Sequence, residues 1–314
     1  MIFIIMIIFI ILILMSVAFF TLLERKVLSY IQYRKGPNKL GYIGILQPFS
    51  DGIKLFSKEI LLPSSSNLLI FFIMPLLNIF LSMFMWILVP YLFSYLYFNM
   101  GMLFFICVSS LSVYSIILSS WASNSHYSLL GSLRSIAQMI SYEITLSMIM
   151  LFFLMFLNSF SFYEFFILQK KMWFLFLMLP LTFIWLICCF AETNRTPFDF
   201  AEGESELVSG FNIEYSSVFF AYIFLAEYSS IMFMSMLTII MLMGGNFFGI
   251  MFYIQSTFLS FLFIWVRGSL PRFRYDKLMY LNWKVFLPIS IFFMLFSSGI
   301  SLLFLFGLIF FNKP

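Results

Sequence analysis

The chain has 314 residues, of which 63% are hydrophobic and 10% charged, with a formal net charge of +4. A soluble domain is about 45–50% apolar and about 25% charged, so no water-soluble fold could cover this much apolar surface with so few charges. Cys107, Cys188 and Cys189 lack C-x-x-C spacing and His126 is the only histidine; iron–sulfur clusters usually need four Cys and haem an axial ligand, so this chain is not expected to hold a redox metal by itself.

About 20 consecutive apolar residues cross a bilayer. Eight such segments are expected, at roughly 2–23, 68–90, 101–121, 136–157, 172–191, 218–243, 250–266 and 285–311. The fold class that follows is an all-α polytopic membrane protein, residues 1–314 forming one membrane domain. Residues 1–15 contain no Arg and no Ser, and the apolar run continues past Phe20. They read as a first transmembrane helix rather than an import presequence or cleaved signal. Synthesis inside an organelle, or a bacterial origin, fits that reading. The adjacent Cys188 and Cys189 sit in an apolar run and read as small buried apolar residues.

The connecting loops differ sharply in charge. Fourteen of the 17 Lys and Arg fall in the odd-numbered loops, including Arg25, Arg34, Arg134, Arg195, Arg267 and Arg274. Basic loops face the matrix or cytoplasm, so both termini are expected on the opposite side. In loop 1, Ile45, Phe49, Ile53, Phe56 and Ile60 recur at helical spacing opposite Ser50, Asp51, Lys54 and Lys58. That pattern, with Pro48 in the first turn, predicts an amphipathic helix on the inner membrane surface. Periodicity alone makes it a surface anchor; the sharper reading has Asp51 and its basic neighbours lining a mouth for an amphiphile. His126, in a short inner loop among Ser and Asn, reads as a solvated polar residue.

Two carboxylates lie well inside apolar spans, Glu143 in SYEITLSMIM and Glu227 in FLAEYSSIMF. A charge at the bilayer centre costs at least about 2.5–3.5 kcal/mol, and such residues usually mark ion or proton paths. The plainer alternative is a protonated Glu that only hydrogen-bonds between helices. Loop 5, AETNRTPFDFAEGESELVSGFNIEYSS, holds six acids, Glu192, Asp199, Glu202, Glu204, Glu206 and Glu214, against the single base Arg195. A charge run is usually a solvated face. Here Phe198, Phe200, Leu207, Val208, Phe211 and Tyr215 interleave with the acids, so the loop is expected to fold back and pack. Glu202 and Glu206 would share one helical face and titrate as a coupled set if buried. Loop 7, VRGSLPRFRYDKLMYLNWK, is basic with interleaved aromatics, and its plain reading is contact with anionic lipid head groups.

The segments ERKVLSYIQYRKGPNKLGYIGILQPFSDGIKLFSKE, SLLGSLRSIAQMISYEI, AETNRTPFDFAEGESELVSGFNIEYSS and PRFRYDKLMYLNWK resemble, in order and spacing, the signature segments of subunit 1 of respiratory complex I, the proton-pumping NADH:ubiquinone oxidoreductase. The resemblance covers essentially the whole chain. It implies a subunit of the mitochondrial inner membrane that helps form a ubiquinone chamber and starts an acidic proton path. By motif position, Arg25, Arg34, Asp51, Phe224 and Arg274 would line the chamber. Tyr142, Glu143, Glu192, Glu202 and Glu227 would form the proton-linked chain, with Asp199, Glu204 and Glu206 connecting the two. NADH, FMN and the iron–sulfur clusters would belong to partners, among them antiporter-like membrane subunits and quinone-proximal peripheral-arm subunits. Membrane lipids complete the expected partners, and no nucleic acid is among them. Ser119–Ser120 precede Trp121 where the family pattern has Gly before Trp, a departure away from the acids. Composition and intramembrane Glu alone would equally allow an independent proton-coupled transporter, although no internal repeat of the transporter kind is visible. The membrane-anchor subunit of a related hydrogenase is the third reading.

Overall fold

Lipid offers no hydrogen-bond partner to a peptide group, so a spanning segment must satisfy its backbone internally. The computed structural model, which describes residues 2–89, 98–157, 159–170, 172–200, 203, 210–212, 214–247 and 249–311, is accordingly helical throughout its apolar stretches. In chain order the helices are α1 (Ile2–Ile31), α2 (Gln47–Ser57), α3 (Leu68–Met85), α4 (Gly101–Ser123), α5 (His126–Leu157), α6 (Phe162–Leu168), α7 (Phe174–Leu177), α8 (Leu179–Glu192), α9 (Ser217–Leu242), α10 (Ile250–Ser269), α11 (Tyr275–Leu281) and α12 (Leu287–Phe311). A π-helical turn, Asn282–Phe286, joins α11 to α12.

Among the described residues seven helices are long and apolar enough to cross a membrane, against the eight expected. The fifth expected span, 172–191, is broken. α7 and α8 meet at Met178, whose φ of −129° and ψ of 52° are not helical. Pro180 lies in the first turn of α8, where a missing N–H is tolerated but a continuous helix is not. α8 remains as a shorter apolar helix. His126 is also placed differently from expectation. It opens α5, and only the two residues after α4 separate the helices, with Asn124 in the left-handed region (φ 53°) making the turn.

The helices pack as a bundle in which α3 contacts α4 and α9, α5 contacts α4, α8 and α12, and α1 contacts α9 and α10. The core is aromatic: Trp185, Tyr142, Phe105, Phe152 and Phe153 are fully buried. Cys188 and Cys189 are buried there too, and Cys188 Sγ lies 3.2 Å from Thr145 Oγ1. The outer surface reverses the soluble pattern, with Ile8, Ile11, Leu12 and Met15 of α1 exposed. Many helical Ser and Thr hydroxyls are buried at little cost because they donate to the carbonyl three residues back. Ser109 bonds Ile106 at 3.0 Å, Ser132 bonds Leu129 at 2.9 Å and Thr238 bonds Ser235 at 2.7 Å.

α2 forms where its periodicity places it, with Pro48 in the first turn. Two aromatics of its apolar face touch the bundle: Phe49 meets Phe19 of α1 edge-on at 5.8 Å, and Phe56 meets Tyr222 of α9 at 6.3 Å, while Ile53 stays exposed.

Candidate functional site: a buried charge cluster beside a polar cavity

The C-terminal part of α1 places Glu24 in the interior, at 6% exposure. Its carboxylate collects partners from three distant parts of the chain. Arg267, at the end of α10, donates Nη1–H to Glu24 Oε1. The Tyr228 hydroxyl of α9 donates to Oε2 at 2.5 Å. Arg195, in loop 5, approaches Oε1 at 3.9 Å. The same guanidinium reaches Oε2 of Glu227 at 3.5 Å and lies 4.5 Å from the centre of the Tyr228 ring. Arg195 therefore bridges two carboxylates on different helices. Two acids and two arginines balance to zero, the condition under which buried charge is tolerable.

Glu227 opens onto a cavity of about 80 Å³ that Glu192 also lines. Asn78, Ser82, Ser112, Asn194 and Ser230 supply further polar groups to its wall. A cavity of this size has room for water, which needs about 10–15 Å³ and two to four polar partners. Glu192 is in turn close enough to Glu143 for their charges to interact, and Ser109 of α4 faces the Glu143 carboxyl. The two intramembrane acids of the sequence and the first acid of loop 5 thus fall on one connected line.

The beginning of loop 5 folds back and packs, as its aromatics imply. Phe198, Phe200 and Tyr215 are buried. Gln138 of α5 donates to the carbonyls of Ala191 (3.0 Å) and Phe198 (2.9 Å), anchoring the loop at both points. Phe198 stacks on Phe273 of loop 7 at 5.5 Å, and Arg272 pairs with Asp199 at 3.3 Å. Tyr142 lies under this contact, 6.1 Å from the Phe198 ring, and its buried hydroxyl has no hydrogen-bond partner among the described residues. Tyr215 donates its hydroxyl to the Ser119 carbonyl at 3.2 Å, and burial pushes this phenol above its usual range. Glu202, Glu204 and Glu206 lie outside the described residues.

The expected chamber residues divide. Arg25 and Asp51 pair at 2.5 Å across the α1–α2 junction, and Gln47 donates to the other Asp51 oxygen at 2.9 Å. Phe224 packs between Phe220 (4.4 Å) and Tyr228 (6.3 Å), beside the charge cluster. Arg34 is exposed and bonds Gln32 at 2.9 Å, and Arg274 pairs with its near neighbour Asp276 at 3.1 Å, both largely exposed. No described contact joins these two arginines to the cluster. Glu24, Tyr228 and Arg267 are the functional candidates that sequence reading passed over. Glu24 opens the E-R-K run just past the first expected span, 2–23. An acid there, still within helical reach of an apolar run, was the one available signal.

A helical bundle with seven helices long and apolar enough to cross a membrane, among the described residues, and with paired charges in its interior defines a class: all-α polytopic membrane proteins. Comparison with known proteins makes this specific. A model of the NADH dehydrogenase family matches residues 4–298. The "NADH-ubiquinone oxidoreductase chain 1" of Anopheles gambiae is 55% identical over 293 residues, 93% of both chains. The proteins of that name from Aedes aegypti (56% over 290 residues; 92% of this chain, 93% of the other) and Locusta migratoria (54% over 295 residues, 94% of both) are similarly close. The chain belongs to the NADH-ubiquinone oxidoreductase chain 1 family.

Proposed function

We propose that this chain is the membrane subunit of a proton-pumping NADH:ubiquinone oxidoreductase that forms part of the ubiquinone chamber and begins the acidic path to the pumping subunits. It works in the mitochondrial inner membrane with both termini on the intermembrane-space side. NADH, FMN and the iron–sulfur clusters are held by peripheral-arm partners, and antiporter-like subunits continue the path within the membrane. Ubiquinone is the substrate, and the chain contributes no redox metal.

The observation that carries this reading is the Arg195 bridge. Arg195 ties the Glu24 carboxylate, next to the Arg25–Asp51 pair and the amphipathic helix, to Glu227 on the rim of the polar cavity. An amphiphile between α1, α2 and α9 lies against this cluster. Reduction of a quinone to a quinol takes up two electrons and two protons, so it draws protons and alters charge at the near end of the line. A cluster that is neutral only when every member is ionised answers such a change by moving a proton or an arginine, because an unpaired buried charge costs several kcal/mol. If Arg195 swings from Glu227, the least costly response is protonation of that carboxylate. Water in the cavity then links the change to Glu192 and on to Glu143. Neighbouring acids of this kind respond as one coupled set, with Asp199, Glu202, Glu204 and Glu206 feeding it from loop 5 and Tyr142 beneath.

The test is Glu143→Gln in the assembled complex. Gln keeps size and hydrogen bonds but carries no titratable proton. The variant assembles, oxidises NADH with an artificial electron acceptor at the wild-type rate, and loses ubiquinone reduction and proton translocation together. Wild-type quinone reduction with wild-type pumping would defeat the proposal.

A further inference from the structure

The helix that runs from loop 7 into the last span has two faces. Leu278, Asn282, Phe286 and Ser290 are buried at four-residue spacing. An α-helix drifts off a strict four-residue repeat, and the π turn, with its wider pitch, keeps Asn282 and Phe286 both inward. Asn282 Nδ2 donates to the Ser141 carbonyl at 2.6 Å and fixes that orientation. The opposite face is thereby fixed outward. Lys277, Tyr280 and Lys284 follow one another there, all exposed, at the i, i+3, i+7 spacing of a single helical face.

Lys277, Tyr280, Leu281 and Val285 form an open, shallow surface with Asp276 as its acidic member. Arg274 neutralises Asp276 through the 3.1 Å pair. Lys284 Nζ sits 4.3 Å from the centre of the Tyr280 ring, so the ammonium is held at this surface. The two lysines are separated by about 10 Å along the axis, from a rise of 1.5 Å per residue. Below them the exposed stripe turns apolar through Val285 (40% exposed), Phe292 (65%) and Phe296 (50%). Trp283, 48% exposed, stands at the junction. Cations, then an aromatic girdle, then an apolar stripe is the order of chemistry in a phospholipid leaflet, read from head group to acyl chain.

We propose that this face is a binding site for an anionic phospholipid of the inner leaflet. Lys277 and Lys284 hold the phosphate against Tyr280, and one acyl chain lies along Val285, Phe292 and Phe296. Charge complementarity selects this occupant over a zwitterionic lipid, and the site stands whether or not the quinone reading holds. Each lysine contributes about fivefold in partitioning, so losing both weakens binding on the order of 30-fold.

The experiment uses the assembled complex in bilayers containing photoreactive phosphatidylglycerol or photoreactive phosphatidylcholine at equal density, with cross-links mapped by peptide sequencing. Phosphatidylglycerol labels residues 277–296 in the wild type, unlabelled phosphatidylglycerol competes and phosphatidylcholine does not. In Lys277→Gln/Lys284→Gln the labelling falls at least tenfold, and Lys277→Arg/Lys284→Arg restores it. Equal labelling by the two lipids would overturn the proposal, as would absence of label from this face in the wild type, the result expected if a protein partner covers it.

Discussion

Arg195→Met keeps most of the side chain's length and removes its charge. At an effective dielectric of about 20, a guanidinium 3.9 Å from Glu24 and 3.5 Å from Glu227 gains about 4 and about 5 kcal/mol of gross attraction. Much of that sum repays the desolvation of the arginine, which Met does not incur. The measured cost of removing one member of a buried ion pair is about 3–5 kcal/mol, chiefly the charge left behind. Glu24 retains Arg267 and Tyr228, so the loss falls on Glu227. Thermal denaturation of the assembled complex then shifts down by several degrees. Ubiquinone reduction falls by about tenfold or more, since only about 1.4 kcal/mol of the loss need reach the rate-limiting step. NADH oxidation with an artificial acceptor, assayed on the same amount of complex, stays at the wild-type value. Arg195→Lys keeps the charge but not the two-armed geometry, and falls between. A Met variant with wild-type melting and wild-type quinone reduction would refute the bridge.

Two further outcomes are expected. In loop 1, Gly44 has φ +80° and an added Cβ would lie 2.2 Å from the Pro37 carbonyl oxygen, whereas Gly52 has nothing within 4 Å. Gly44→Ala therefore destabilises the approach to α2, by more than about 1 kcal/mol, and Gly52→Ala does not; limited proteolysis of residues 32–60 in the two variants reads the difference. A Cys placed at Asn99 in sealed membranes reacts with an impermeant reagent from the outer side, and reaction only from the matrix side would reverse the topology.

The spans were legible because lipid imposes one rule on every residue in them, and α2 because amphipathic spacing is local. The break at Met178 was hidden by unbroken apolarity: hydropathy registers Leu179 and Pro180 as bulk, while the backbone registers a missing N–H. Helix α5 starts ten residues before its expected boundary because Ser, Gly and Arg134 lower hydropathy without preventing a helix. The acids in spans were found from their cost alone. The counter-charge of Glu227 was not, since Arg195 meets it only through tertiary packing. Arg274, which the family motif assigns to the chamber, pairs with Asp276 two residues on, a local contact that the motif does not specify.

The Glu24 cluster also sets an order of events in synthesis. Glu24 and Arg267 are 243 residues apart. At about 5–20 residues per second, roughly 10–50 s separate the emergence of the acid from that of its arginine. Arg195 and Tyr228 emerge before Arg267, so during that interval the carboxyl of the first helix gathers its partners one at a time, and until the first arrives its charge favours the aqueous boundary over the bilayer interior. The N-terminal helix is therefore drawn in by stages, and the cluster closes when α10 arrives. A chain truncated before Arg267 should hold roughly its first five-sixths in the membrane with Glu24 lacking one of its two arginines, so the charge cluster doubles as a latch that α10 closes.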